Sequence, residues 1–293
     1  MNFKAMLKPI KGFRLLAVLL TYALGAGLAQ YLESVKSWPV LLGGAAFLIL
    51  ATLTFDYLRA LREINDPRFR PAEQTPDEVR QMRLGLSAIS ATLLTVAATI
   101  VVGWMVRGQL WQGITVLLLA FVAIGVVYAL SSPSEKLAPF LPLFETVLVV
   151  IIPPALGYFL QLRSMHRFLT MVVLGTVPLY LAYGLLTQLI RFGRDQQKGI
   201  TTTVTAMGWE AAMVLHNVLI LLGYVLFALA SLLGFPWLLM WPVFLTLPLG
   251  LAEFWLMERV RRGDKPLWGV MKFALGSTIL IPVYLLAFAF WIR

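Results

Sequence analysis

The chain has 293 residues, of which 60% are hydrophobic and only 13% charged, with a mean hydropathy of +0.84, far from the balance of a water-soluble globular domain. Lys and Arg outnumber Asp and Glu by 24 to 14, a net charge of +10. These positives punctuate apolar runs instead of gathering on a soluble face, which argues against nucleic acid as a partner. The absence of cysteine excludes a disulfide framework, a thiolate metal site and a Cys nucleophile, and two isolated histidines, His166 and His216, argue against a His-built metal centre.

A helix needs about 20 mostly apolar residues to cross the hydrocarbon layer. Cutting the chain at charges and turn residues leaves nine such pieces, at 13–32, 38–58, 84–106, 111–130, 138–161, 168–190, 211–233, 236–257 and 268–291. The sequence therefore predicts an all-α integral membrane protein, a single transmembrane domain over 1–293. The first span has a basic flank and small residues from Gly25 to Ala29, and so imitates a signal peptide. It is expected to be retained, because its removal does not improve the charge balance. The seventh and eighth spans are joined only by Gly234, Phe235 and Pro236, which calls for a tight hairpin. With the N-terminus inside, 19 of the 24 basic residues fall in cytoplasmic segments. That bias predicts a cell inner or plasma membrane protein with a cytoplasmic N-terminus and an external C-terminus.

Eleven of the fourteen acidic residues fall on the same side, so any chemistry is expected there. Two connections are longer and more polar than packing needs. The first, about 59–83, carries six positives and five negatives; the second, 191–210, sets Arg191, Arg194 and Lys198 beside Asp195, a Gly and a Thr run. The second suits a phosphate or diphosphate, because guanidinium forks and exposed backbone N–H groups match phosphate oxygens. The blander reading of both is a solvated, positive-inside connector.

Within these connections, Asp195 is followed at fixed spacing by Gly199, Thr201 to Thr203 and Gly208, and Asp56 lies at the end of the second span. Lys8-Pro9 precedes the first span, Tyr128, Pro133 and Glu145 lie around the fourth and fifth, and Pro67, Arg68, Arg70 and Pro71 stand ahead of Thr75-Pro-Asp-Glu78. This arrangement resembles the UbiA superfamily of intramembrane prenyltransferases across most of the chain. The family carries aspartate-rich motifs after its second and sixth helices. The resemblance implies nine helices around a central, lipid-accessible cavity, and transfer of a prenyl group from a polyprenyl diphosphate to a small aromatic or lipid acceptor. It also implies Mg²⁺ bridging carboxylates to the diphosphate, with Asp56 and Asp195 as catalytic residues and metal ligands.

The sequence departs from the family pattern in both motifs. With Asp56 as the first aspartate, the later acidic positions fall on Ala60 and Ile64, and with Asp56 as the second, the first falls on Leu53; Arg191 stands where an acid is expected four residues before Asp195. One carboxylate per motif is in register, so the resemblance is expected to translate into diphosphate binding through bases, namely Arg59, Arg68, Arg70, Arg191, Arg194 and Lys198, with weakened metal dependence. Two other readings stay open. One is a non-catalytic UbiA-fold protein that binds a lipid or quinone or serves as a subunit of a membrane complex; the other is a transporter, since broken helices and buried acids also mark those folds.

Four further residues are candidates because polar groups in the apolar layer are costly. Tyr128 and Glu145 are expected in the pocket, Glu145 as a proton acceptor or as an acid satisfied by a neighbouring helix. His216 and Asn217 are expected either to orient an acceptor ring or to bond between helices. Glu253 is expected to snorkel to the cytoplasmic interface. Trp38, Trp111, Trp209, Trp237, Trp268 and Trp291 read as interfacial belts, Pro153, Pro154, Pro178, Pro242 and Pro248 as kinks, and Gly25 and Gly27 as close-packing points.

Overall fold

The protein was analysed as a computed structural model that describes residues 9–33, 37–66, 75–131 and 136–292. Among the described residues there is no strand, and nine helices are long and apolar enough to cross a membrane. They are α1 (Gly12–Glu33), α2 (Trp38–Asn65), α3 (Pro76–Val106), α4 (Gln112–Leu130), α5 (Ala138–Phe159), α6 (Arg167–Leu189), α9 (Trp209–Leu232), α10 (Trp237–Arg261) and α11 (Trp268–Ile292). Between α6 and α9 lie two short helices, α7 (Phe192–Gln197) and α8 (Thr203–Met207).

The exterior of the bundle is as apolar as its core. Val106, Leu232 and Phe273 expose three quarters or more of their surface, which suits lipid tails and not water. Inside, α1 packs against α2, α5, α6 and α11, while α6 lies along α9 and α3 along α2. The expected hairpin is present: Gly234 takes φ 97° between α9 and α10, a conformation that glycine adopts without Cβ strain.

The connection expected over 59–83 is mostly helix. The second span runs on to Asn65, and α3 starts at Pro76, where Thr75 and Glu78 exchange side-chain to backbone hydrogen bonds in a capping box. The charges at 59–65 and 76–83 that read as a loop therefore belong to the ends of two helices. Arg68 and Arg70, together with Lys8 and Pro133, lie outside the described residues.

The fifth span is broken where prolines remove donors. Pro153 and Pro154 have no N–H to offer the carbonyls of Val149 and Val150, and the preceding turn, Val147–Ile151, widens to a π-turn with the Ile152 N–H reaching the Val147 carbonyl. Thr21 of α1 compensates, its hydroxyl lying 2.7 Å from the Val149 carbonyl oxygen. Satisfying a freed carbonyl from a neighbouring helix is what makes such a break tolerable in the hydrocarbon layer. Thr21→Val, which keeps the shape and removes the donor, is expected to cost about 1–3 kcal/mol, read as a lower thermal unfolding midpoint in detergent; Thr21→Ser is expected to retain the wild-type value.

Candidate functional site

Five helices bring a polar cluster together at one end of the bundle. Arg14 enters from the first turn of α1, and its Nη2 lies 2.7 Å from Asp56 Oδ1 of α2, with the two side chains 4% and 2% exposed. The same nitrogen donates to the Thr52 carbonyl at 3.1 Å, and Nη1 stands 4.0 Å from Glu145 Oε1 of α5. Lys11 immediately precedes α1, three residues before Arg14.

Tyr128 of α4 is the hub of the cluster. Its ring is fully buried, with the guanidinium of Arg14 at 5.2 Å from the centroid and that of Arg59 at 5.0 Å, a cation–π geometry on both counts. Its hydroxyl accepts from Lys11 Nζ at 3.3 Å and donates to the Glu145 carboxylate. Arg59 also holds Glu63 at 3.1 Å, one helical turn on. Arg62 donates to the Ser131 carbonyl, tying the end of α2 to the end of α4. Tyr180 and Tyr183 of α6 complete the wall, the latter stacked on Phe13 at 4.1 Å; both lie within electrostatic reach of Glu145.

The segment after α6 folds beside this cluster. Thr203 donates to the Pro139 carbonyl at the start of α5, and the Val204 N–H donates to Gln188 Oε1 at 3.1 Å. Arg191 lies within electrostatic reach of Tyr183. Asp195 sits in α7 with its residue surface 6% exposed, its carboxylate 3.9 Å from Arg194. Burial raises its carboxyl above the ordinary carboxylate value, and Arg194, Arg191 and Lys198 pull it back. Both glycines of the motif spacing are stop residues: Gly199 at φ 62° follows the end of α7 and Gly208 at φ 91° separates α8 from α9. A turn requirement thus accounts for both positions.

Of the predicted residues, Asp56, Arg59, Tyr128 and Glu145 meet in one cluster, and Arg191, Arg194, Asp195 and Lys198 share the adjoining segment. His216 and Asn217 do not join them; they face α10. Glu253, expected to snorkel, is 0% exposed, with His216 Nε2 at 3.7 Å from its Oε1. A buried partner on α9 holds it inside where sequence position alone suggested an escape to water. Lys11 and Arg14 enter the sequence reading only among the basic residues of the charge bias, although an arginine set within the apolar run of a first span, three residues after a lysine, is a sign that it has an internal partner.

The sequence matches no protein-family model and no curated protein. Solved structures do match. A UbiA homologue from Archaeoglobus fulgidus, bound to GPP and Mg²⁺, is similar with a TM-score of 0.58 and 15% identity, over 98% of this chain and 99% of that one. An apo UbiA homologue from Aeropyrum pernix K1 is similar with a TM-score of 0.55 and 15% identity, over 94% and 96% of the two chains. This chain has the UbiA fold. Within that UbiA fold, the cluster on α1, α2, α4, α5 and α6 is where the polar side chains of this chain concentrate.

The described carboxylates do not fit the Mg²⁺ site that the resemblance implies. Among the described residues there is no group of three or more His, Asp or Glu placed to hold a metal ion. Asp56 is already neutralised by Arg14 and Asp195 by the basic side chains of its own segment. Mg²⁺ demands several hard oxygen ligands in near-octahedral geometry, and a guanidinium at 2.7 Å competes directly for the Asp56 oxygen.

Proposed function

We propose that the chain is a UbiA-like membrane prenyltransferase that moves a prenyl group from a polyprenyl diphosphate to a small aromatic or lipid acceptor, and that bases hold the diphosphate. The observation that carries this reading is the convergence of bases on Tyr128: Lys11 stands at its hydroxyl and Arg14 and Arg59 over its ring, and the buried Nε of Arg14 has no hydrogen-bond partner among the described residues. Converging bases with an unused buried N–H are suited to an anion. Arg191, Arg194 and Lys198 flank the same end, with Arg68 and Arg70 in the adjoining connection. The excess of Lys and Arg in the connections at this end supports a cytoplasmic side for it.

In the reaction, the allylic C–O bond breaks with its electron pair leaving on the diphosphate, whose developing charge the guanidinium and ammonium groups stabilise. The acceptor's electron-rich atom then forms the new bond to the allylic carbon and releases a proton. Glu145, hydrogen-bonded to Tyr128, stands ready to take it. The aromatic walls from Phe13, Tyr180 and Tyr183 keep water from the cation.

A second reading has an observation of its own. The capture of Asp56 by Arg14 favours a UbiA-fold protein that binds a lipid diphosphate, lipid or quinone without turning it over, or that works inside a membrane complex. Purified protein titrated with farnesyl diphosphate in EDTA and in Mg²⁺ decides between these. Binding of similar affinity in both, followed by product with an acceptor panel, is the expected result. Strict dependence on Mg²⁺ overturns the base-held site; equal binding without product on any acceptor selects the non-catalytic reading; no binding overturns the donor assignment.

A further inference from the structure

A second buried polar group lies between α9 and α10, away from the Tyr128 cluster. His216 and Glu253 are both 0% exposed and 3.7 Å apart. Neither His216 Nε2 nor either carboxylate oxygen of Glu253 has a hydrogen-bond partner among the described residues. Three such atoms facing one another in the apolar layer are costly unless a proton lies between them.

The neighbouring asparagine fixes where that proton belongs. Asn217 Nδ2 donates to the Phe254 carbonyl of α10 at 3.5 Å, which turns its Oδ1 towards His216. His216 Nδ1 lies 3.2 Å from that oxygen, and an oxygen that only accepts requires Nδ1–H as donor. A neutral imidazole donating from Nδ1 carries its lone pair on Nε2. Nε2 therefore needs a donor, and the group facing it is Glu253, which supplies one only as a carboxylic acid. An imidazolium and carboxylate pair at the same place would have to offset the removal of two charges from water, with no further hydrogen bonds to the carboxylate.

We propose that His216 and Glu253 form a membrane-embedded proton-binding site, in which a neutral Glu253 turns its O–H towards His216 Nε2, 3.7 Å from its Oε1, and Asn217 sets the imidazole tautomer. Asn217 also lines a groove of about 310 Å³ between α9 and α10, walled by Val214, Val218, Leu221 and Phe254 and ending at Glu258 and Arg261. One hydrogen bond separates that groove from the ring. The surrounding charges are otherwise engaged: Glu258 is held by Arg261 and Arg262 and Arg259 by Asp264, Glu210 in the first turn of α9 lies within electrostatic reach of Arg261, and Tyr224 of α9 is bonded to Thr246 at 2.8 and 3.0 Å. On the flanking helices, Arg167 starts α6 and Lys272 lies exposed on α11.

Infrared spectroscopy of the full chain in lipid bilayers tests this site. At neutral pH the wild type is expected to show a carbonyl stretch of a protonated carboxylic acid that shifts in D₂O, disappears in Glu253→Gln and moves to higher frequency in His216→Phe, which removes the acceptor. Since the chain has two histidines, ¹⁵N-histidine NMR against a His166→Gln control reads the ring directly. The expected signal for His216 is a neutral imidazole protonated at Nδ1, unchanged through the range near pH 6.5 where a free histidine titrates. An imidazolium signal at neutral pH, a ring protonated at Nε2, or a carboxylic acid band that survives Glu253→Gln overturns the proposal. The unfolding midpoint of each variant separates these outcomes from loss of the fold.

Discussion

Replacing Arg14 by Ala is expected to destabilise the protein by about 3–5 kcal/mol, because it leaves the Asp56 carboxylate buried without its counter-charge. Asp56 has 2% of its side chain exposed, and Arg14 Nη2 at 2.7 Å is its ion-pair partner, so neither water nor a rotamer change relieves it. The double variant Arg14→Ala with Asp56→Asn is expected to recover most of that loss, since no isolated charge remains, as measured by thermal unfolding in detergent. Diphosphate binding is expected to behave differently. Both variants lack the guanidinium, and both are expected to bind farnesyl diphosphate about 10- to 150-fold more weakly than wild type, the worth of one charge-assisted hydrogen bond of about 1.5–3 kcal/mol. Recovery of stability without recovery of binding separates the role of Arg14 in the fold from its role at the site. Full binding by the stable double variant removes Arg14 from the donor site.

Gly25→Val is the second change with a large expected effect. A Cβ at Gly25 would overlap the backbone carbonyl of Pro154, and one at Gly157 would overlap the Tyr22 carbonyl. α1 and α5 thus touch backbone to backbone on both sides, as small residues allow between membrane helices. Backbone cannot rotate away as a side chain does, so the two helices must separate, losing van der Waals contact along the interface and the Thr21 bond to Val149. The expected cost is at the upper end of the range for overpacking, about 3 kcal/mol, seen as a fall in the unfolding midpoint and loss of monodisperse protein on size exclusion. Gly103→Ala is the control: it lies in α3 with nothing within 4 Å of the added atom, and it is expected to be neutral or stabilising by up to about 1 kcal/mol.

The two loops illustrate why part of the site was legible in the sequence. Asp195, Gly199 and Gly208 are spaced by local turn chemistry, and local chemistry leaves a mark in sequence order. Tyr128 and Glu145 stood out because a phenol and a carboxylate in apolar runs demand partners. Arg14 was passed over for the opposite reason: a basic residue at the start of a first span has a sufficient explanation in topology, so its pairing with a residue 42 positions on was invisible. Glu253 was misread in the same way. Its nearness to the end of α10 suggested an exit to water, and only the packing of α9 placed His216 against it.

By itself, the sequence determined the nine spans, the hairpin at Gly234 and the crowding of charge at one end of the bundle. Hydropathy and charge act residue by residue along the chain, and a helix in lipid satisfies its own backbone without help from other segments. Tertiary structure decided the partners. It set Arg14 on Asp56 where a shared cation was expected, turned His216 towards Glu253 and away from Tyr128, and let Thr21 reach the carbonyl freed by Pro153. These are choices among groups far apart in the chain, each made by which side chain an adjacent helix brings within about 3 Å in a layer where no water serves as the alternative.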